Sequence, residues 1–410
     1  MNNSTLDRKR TLVSGVALVA AATFLASAAN YGLNIFAAHT LSPSDFGGLG
    51  ALLGVLAVFG TLSLTLQAVV ARAVGKNSSD FTNREVPVLS ALWLAIAAVL
   101  FCLLLVVPVS RLIDVSLVST LLALLTVPIS VGASAVIGLL QGKETFLRLS
   151  LSILAVGIFR ASCGVIGLWI SQDLLGFAVG LILGSVISLG FCLALVPERL
   201  SLGLRPTRRQ IVAFLVVLQA IGLMFVLANI DVVLARFYLS PTESGVYAVG
   251  SLLAKIAFFL PAPILIVLYP SMVKGVDRRP LFLAILATGA IGLVTVFVTI
   301  LAPARVAGLL AGPELSSVAP TLWLFAVSGS LMALVQVTLY ARLAKHDVRA
   351  AILLYCGVFF LVLLVVVRLH NSVQEILAAV VLVGLAVALI GLWMDRKTSD
   401  TDLPPIEVAE

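Results

Sequence analysis

The stretch LSPSDFGGLGALL, residues 41–53, recurs in altered form as LSPTESGVYAVGSLL at residues 239–253. Leu-Ser-Pro opens both copies, and Gly47 and Gly245 follow at the same distance from it. Each copy precedes an apolar segment, and we interpret it as the turn before the second helix of a repeated half. Short turns favour serine, proline and glycine for their own conformational reasons. The spacing shared by the two copies nevertheless favours a true internal repeat.

Apolar segments of membrane-spanning length surround both copies. The chain is 61% hydrophobic and 11% charged, whereas soluble domains carry about 25% charged residues. About 20 consecutive apolar residues suffice for a helix to cross a bilayer. Twelve such spans are predicted, at residues 12–38, 48–71, 86–108, 117–140, 149–170, 174–196, 211–236, 245–270, 281–302, 320–341, 351–368 and 376–394.

The cations of the chain indicate its orientation. Of the 26 lysine and arginine residues, 20 fall in every second connection between spans, and two, Arg160 and Lys255, lie within spans. The intervening connections hold only Arg111, Arg236, Arg305 and Arg368. Since cytoplasmic connections are rich in lysine and arginine, both termini are predicted to be cytoplasmic. The net charge of +7 follows from this bias, so we predict no nucleic-acid partner.

The predicted fold is an all-α polytopic membrane protein built from two six-helix bundles. We predict an N-terminal bundle at residues 1–196, a basic cytoplasmic linker at 197–210, a C-terminal bundle at 211–394 and a disordered cytoplasmic tail at 395–410. Six helices repeated in the same orientation imply an axis along the membrane normal. Transporters of this design bind their cargo between the bundles and work by alternating access.

Arg160 lies in the middle of the apolar stretch LAVGIFRASCGVIGLW, residues 154–169. An arginine at the centre of a membrane helix costs roughly 2.5–3.5 kcal/mol on insertion scales and usually faces a partner or a cavity. Lys255 lies at similar depth in the eighth span, and Asp231 lies nearer the outer end of the seventh. Arg160 either pairs with Asp231 or, together with Lys255, binds an anionic cargo such as a diphosphate.

Uncharged polar residues form stripes on several spans, and we predict that they line one hydrated cavity. The alternative for the serines and threonines is a hydrogen bond to their own helix or close packing between helices. The cysteines are isolated, and no metal site or cofactor is predicted. The predicted lining consists of Thr23, Ser27, Asn30, Asn34, Ser130, Ser134, Gln219, Asn229 and Gln336.

Several stretches resemble the Wzx-type flippases of the multidrug/oligosaccharidyl-lipid/polysaccharide exporter superfamily. They are residues 30–53, 66–76, 139–150 and 229–253, in both halves of the chain. The resemblance implies a V-shaped pair of bundles around a central cavity, in a bacterial or archaeal plasma membrane. It implies a flippase that moves a polyprenyl-diphosphate-linked oligosaccharide to the outer leaflet and meets membrane lipids and polysaccharide polymerase or assembly proteins. Asp231 matches an acidic position of the family, with a structural or coupling role, and Arg72 matches a basic one.

Two alternatives compete with this interpretation. A multidrug or cation antiporter of the same superfamily would need acidic residues in its cavity, and the mid-depth charges here are mostly positive. A membrane-embedded glycan ligase or glycosyltransferase would need a large outward loop with clustered acids or histidines. The longest outward loop predicted, at residues 303–319, holds one acid, Glu314, and no histidine. We therefore predict a transporter without enzymatic activity.

Overall fold

The computed structural model of the protein describes residues 3–76, 88–196, 208–261, 264, 279–343 and 348–397. Within these ranges every regular element is helical and no strand occurs. A 3₁₀ helix, Pro313–Thr321, precedes α12. The α-helices are α1 (Asn3–Thr40), α2 (Pro43–Lys76), α3 (Val88–Ile113), α4 (Leu117–Gly142), α5 (Phe146–Ser171), α6 (Leu174–Ala194), α7 (Arg208–Leu227), α8 (Ile230–Tyr238), α9 (Pro241–Phe259), α10 (Arg279–Leu301), α11 (Pro303–Leu310), α12 (Leu322–Leu343), α13 (Val348–Val367) and α14 (Val373–Lys397).

The length and hydropathy of these helices confirm a multi-pass membrane protein. Among the described residues, 10 helices are long and apolar enough to cross a membrane. The predicted seventh span is a bent pair, α7 and α8, with 43° between the two helices. The predicted eighth span begins as α9, but most of it after Pro261 lies outside the described residues. The predicted total of twelve spans therefore stays a prediction.

The two copies of the repeated phrase begin helices rather than forming extended turns, so the predicted starts at residues 48 and 245 are too late. Ser42 Oγ donates to the Asp45 carboxylate (2.8 Å) and accepts from the Asp45 N–H (3.2 Å). Ser240 and Glu243 repeat this reciprocal cap at 2.6 and 3.3 Å. Serine caps a helix, and proline suits its first turn because the missing N–H has no partner there. Local chemistry therefore starts both helices at the proline.

These two helix starts also pack directly on each other. A Cβ added at Gly47 would lie 2.8 Å from the Gly245 nitrogen and would collide with the Ser244 side chain. A Cβ added at Gly245 would overlap the carbonyl group of Pro43. Glycine at both positions therefore lets two backbones approach where any side chain would separate them.

The segment at 303–319 was predicted to be a loop, and this is wrong. Residues 303–310 form α11, and a 3₁₀ helix begins at residue 313. Ala307 and Leu310 are buried, as are Leu315 and Val318. Apolar residues three positions apart fall on one side of a short helix, so burial stabilises both pieces.

The described helices form two compact units. The first comprises residues up to Val249 together with Ala307–Val318, and the second comprises Gly250–Val306 and the residues from Ala319 onward. In the first unit α1 packs on α5, α2 on α4 and α7, and α4 on α6. In the second, α12 packs on α10 and α14. Most of the predicted linker and tail lies outside the described residues, although residues 395–397 end α14. The predicted bundle boundaries stay a prediction.

The closest helix contact in the first unit runs along α5 and α6. Every fourth residue of α6 is small and lies against the backbone of α5, an arrangement that membrane helices use to approach closely. A Cβ added at Gly184 would lie 2.8 Å from the Arg160 Cα atom, so this contact fixes the part of α5 that carries Arg160. The contacts pair Gly176 with Gly167, Gly180 with Cys163, Gly184 with Phe159, Ser188 with Ala155 and Cys192 with Ser152.

Candidate functional site

A cavity of about 210 Å³ lies among α2, α4, α5 and α6 of the first unit. Of the described residues, those that line it include no carboxylate. The helix pairs α2–α4 and α5–α6 form its walls, and Arg160 supplies its charge. The polar lining consists of Arg160 and the hydroxyl groups of Ser63, Thr126, Ser130, Ser134, Ser185 and Ser188. Three of the predicted site residues, Arg160, Ser130 and Ser134, are therefore brought together here.

Arg160 is half-buried, and its Nε atom is buried without a hydrogen-bond partner among the residues described. Within the described part of the chain it forms no ion pair, so the predicted alternative of a bond to Asp231 is not seen. The Asp231 carboxylate instead accepts a hydrogen bond from the Tyr247 hydroxyl at 2.8 Å. Asp231 is 9% exposed, and Tyr247 is fully buried. This acid belongs to the contact between α8 and α9, and Arg160 faces the cavity.

Most hydroxyl groups around this cavity donate to a carbonyl of their own helix. Thr126 donates to Ala123 O (2.6 Å) and Ser130 to Thr126 O (2.7 Å). Ser185 donates to Leu181 O at 2.7 Å. Ser130 therefore follows the alternative given for the polar stripes, a hydrogen bond to its own helix. It also lines the cavity.

The predicted stripe on α1 lies elsewhere. Thr23 and Ser27 are exposed, and Asn30 and Asn34 are half-buried. The side chains of Thr23, Asn30 and Asn34 each donate to the carbonyl four residues earlier. None of the four residues lines the cavity at Arg160. Their part in a larger shared cavity stays a prediction.

The remaining predicted site residues are spread over both units. Asn229 is buried at the break between α7 and α8, and its amide donates to Phe225 O at 2.8 Å. In the second unit Lys255 is half-buried on α9 and Gln336 is buried on α12. Gln219 on α7 and Arg72 near the end of α2 are exposed.

Arg236 is the residue that sequence reasoning missed. Predicted only as an outward charge, it is 8% exposed and joins four segments of the first unit. Its nitrogens donate to Ile113 O (2.9 Å), Ser44 O (3.1 Å), Ser244 Oγ (3.0 Å) and Asp114 O (3.2 Å). The Asp114 carboxylate lies 3.6 Å away and is 89% exposed. Three of these partners are more than 100 residues away in the sequence, so no local sequence pattern predicts them.

The model of the family described as polysaccharide biosynthesis protein matches residues 12–276, which is more than half of the chain. The chain belongs to this family. The matched range includes the whole cavity at Arg160 and the contacts of Arg236. No curated protein matches the chain.

Solved structures show which fold this polysaccharide biosynthesis protein has. An inward-facing multidrug resistance MATE family transporter of the MOP superfamily is similar, with a TM-score of 0.74, 16% identity and coverage of 91% of this chain and 96% of the transporter. The inward closed conformation of the lipid II flippase MurJ gives a TM-score of 0.70 at 11% identity, covering 93% of this chain and 87% of that one. At these identities the likeness establishes the fold, which agrees with the predicted all-α class.

Proposed function

We propose that this polysaccharide biosynthesis protein is a flippase. It moves a polyprenyl-diphosphate-linked oligosaccharide from the cytoplasmic to the outer leaflet by alternating access, with both termini in the cytoplasm of a bacterial or archaeal cell. The observation that carries the proposal is Arg160, a cation in an apolar span that has no ion-pair partner among the described residues and lies in a cavity lined by hydroxyl groups.

The energetics of charge in a membrane support an anionic cargo. An unpaired arginine at this depth costs roughly 2.5–3.5 kcal/mol, and a diphosphate crossing the same region would carry its own desolvation cost. Contact between the two offsets both costs, because the planar guanidinium group can donate two parallel hydrogen bonds to phosphate oxygens. The sequence predicts Lys255 as a second cation for this cargo. An inside-negative potential favours outward movement of the anionic head.

The family and the cavity lining both favour this cargo over cationic drugs. The likeness to a multidrug transporter concerns the fold, whereas the family match concerns polysaccharide biosynthesis. Export of cationic drugs would need a carboxylate for the drug to pair with, and the described lining at Arg160 offers a cation and hydroxyl groups. In this function the protein transports its lipid without chemical change, beside the polymerase or assembly proteins that use it.

Reconstituted vesicles test the proposal. Proteoliposomes carrying a fluorescent polyprenyl-diphosphate sugar in one leaflet would be followed until the lipid appears in the other. We expect the wild type to flip the lipid and Arg160→Ala to lose at least about tenfold in rate, the factor that 1.4 kcal/mol represents. Arg160→Lys should retain part of the rate because it keeps the charge and loses the paired geometry.

The matched control is Arg111→Ala, which removes an exposed arginine at the end of α3. It should flip the lipid as the wild type does. Equal rates for the wild type and Arg160→Ala would show that Arg160 is a structural charge. Export of cationic dyes without lipid movement would replace the proposal by the antiporter alternative.

A further inference from the structure

We propose that the cavity at Arg160 is a phosphate-class oxyanion site in which the hydroxyl group of Ser63 is the second ligand donor. The proposal rests on the function given above and names the part of the lipid that the first unit recognises. Ser63 lies on α2 in the lining of this cavity and is 6% exposed. Its Oγ atom is buried and has no hydrogen-bond partner within the part of the chain that the structure describes.

A lining group can bind an anion only if its N–H or O–H proton is not already donated to another acceptor. A hydroxyl group has one proton, so a hydroxyl that donates to its own helix has none left for a ligand. Thr126, Ser130, Ser185 and Ser188 all donate in this way. Ser63 does not, and neither does the half-buried Ser134. Arg160 offers five guanidinium protons without an acceptor among the described residues. Ser63 on α2 and Arg160 on α5 are therefore the lining residues that bring buried, unused donors to the cavity.

The unused donors also define the class of ligand. A buried hydroxyl without a partner costs free energy comparable to a lost hydrogen bond, and an acceptor in the cavity would remove that cost. A tetrahedral oxyanion offers several acceptor oxygens to a guanidinium fork and a hydroxyl at once. The volume of 210 Å³ corresponds to about seven bulk waters at roughly 30 Å³ each. This volume has room for a phosphoryl group.

Binding of small phosphates to the purified full-length protein tests this site without any lipid. Thermal unfolding in detergent would be followed while inorganic phosphate or pyrophosphate is titrated at constant ionic strength, with chloride as the comparison anion. We expect both phosphates to raise the unfolding temperature and chloride to leave it unchanged. Ser63→Ala should weaken phosphate binding about tenfold, the effect of one hydrogen bond to a charged group. Arg160→Gln should weaken it by about a hundredfold or more.

Ser185→Ala is the matched control, because this serine lines the same cavity but donates its proton to Leu181. It should bind phosphate like the wild type. The site is overturned if neither phosphate stabilises the wild type, if chloride stabilises it equally, or if Ser63→Ala binds as tightly as the wild type.

Measuring lipid flipping on the same preparations separates this site from the proposed function. If lipid flipping depends on Arg160 but phosphate does not bind, the proposed phosphate site is wrong and the proposed flippase function stands. Phosphate binding that depends on Ser63 and Arg160 without any flipping supports the site and overturns the flippase.

Discussion

Replacing Arg236 by methionine should destabilise the protein by about 3 kcal/mol. The substitution keeps an apolar stem of similar length and removes every donor, which leaves the carbonyls of Ile113, Ser44 and Asp114 without this partner. Hydrogen bonds to a charged group contribute about 1.5–3 kcal/mol each, and water at the helix ends recovers part of the loss. Arg236→Lys should destabilise the protein by less than Arg236→Met, because one ammonium group keeps the charge but cannot reach partners on all three neighbouring segments.

The assay is the free energy of unfolding of the detergent-solubilised protein in an SDS titration. Asp114→Asn is the control, since it removes only the ion pair at 3.6 Å to a side chain that is 89% exposed. Exposed ion pairs contribute about 0–1 kcal/mol, so this variant should stay close to the wild type. The reasoning is refuted if Arg236→Met unfolds like the wild type, or if Asp114→Asn costs as much as Arg236→Met.

Two pairs of glycine variants test the close helix contacts in the same assay. Gly180→Ala should lower the free energy of unfolding by about 2 kcal/mol, because its Cβ would overlap the Cys163 carbonyl group. Gly190→Ala, on the same helix, would place its Cβ where no described atom lies within 4 Å. This variant should be as stable as the wild type or slightly more stable. Equal effects at the two positions would contradict the α5–α6 contact. Gly245→Ala should lower the free energy of unfolding by about 2 kcal/mol, because its Cβ would overlap Pro43. Gly32→Ala, whose Cβ would lie in open space on α1, should leave the free energy of unfolding unchanged or slightly raised. A Gly245→Ala protein as stable as Gly32→Ala would rule out the packing of the two repeated phrases.

The sequence predicted the helical class and most spans because hydropathy is summed over some 20 residues and tolerates local errors. It also identified Arg160, since an isolated cation in an apolar segment needs no knowledge of its neighbours. Ser63 could not be distinguished from the other serines in this way. Its significance depends on which hydroxyl protons are already used, and only atomic positions give that information.

The sequence also did not predict the break between α7 and α8 or the contacts of Arg236. The stretch LANID around the break contains neither glycine nor proline, so no local signal interrupts the predicted span. Arg236 fits the distribution of charges expected at a connection between spans. That distribution predicts where it lies relative to the membrane but does not predict its hydrogen-bond partners. The segment at 303–319 was predicted to be a loop because its two helical pieces are too short to carry a clear period.

Gly47 and Gly245 occupy equivalent positions of the two repeats and touch each other. A side chain at either position would push the two helix starts apart. The two copies of the phrase therefore constrain each other's sequence, although 198 residues separate Gly47 from Gly245 along the chain.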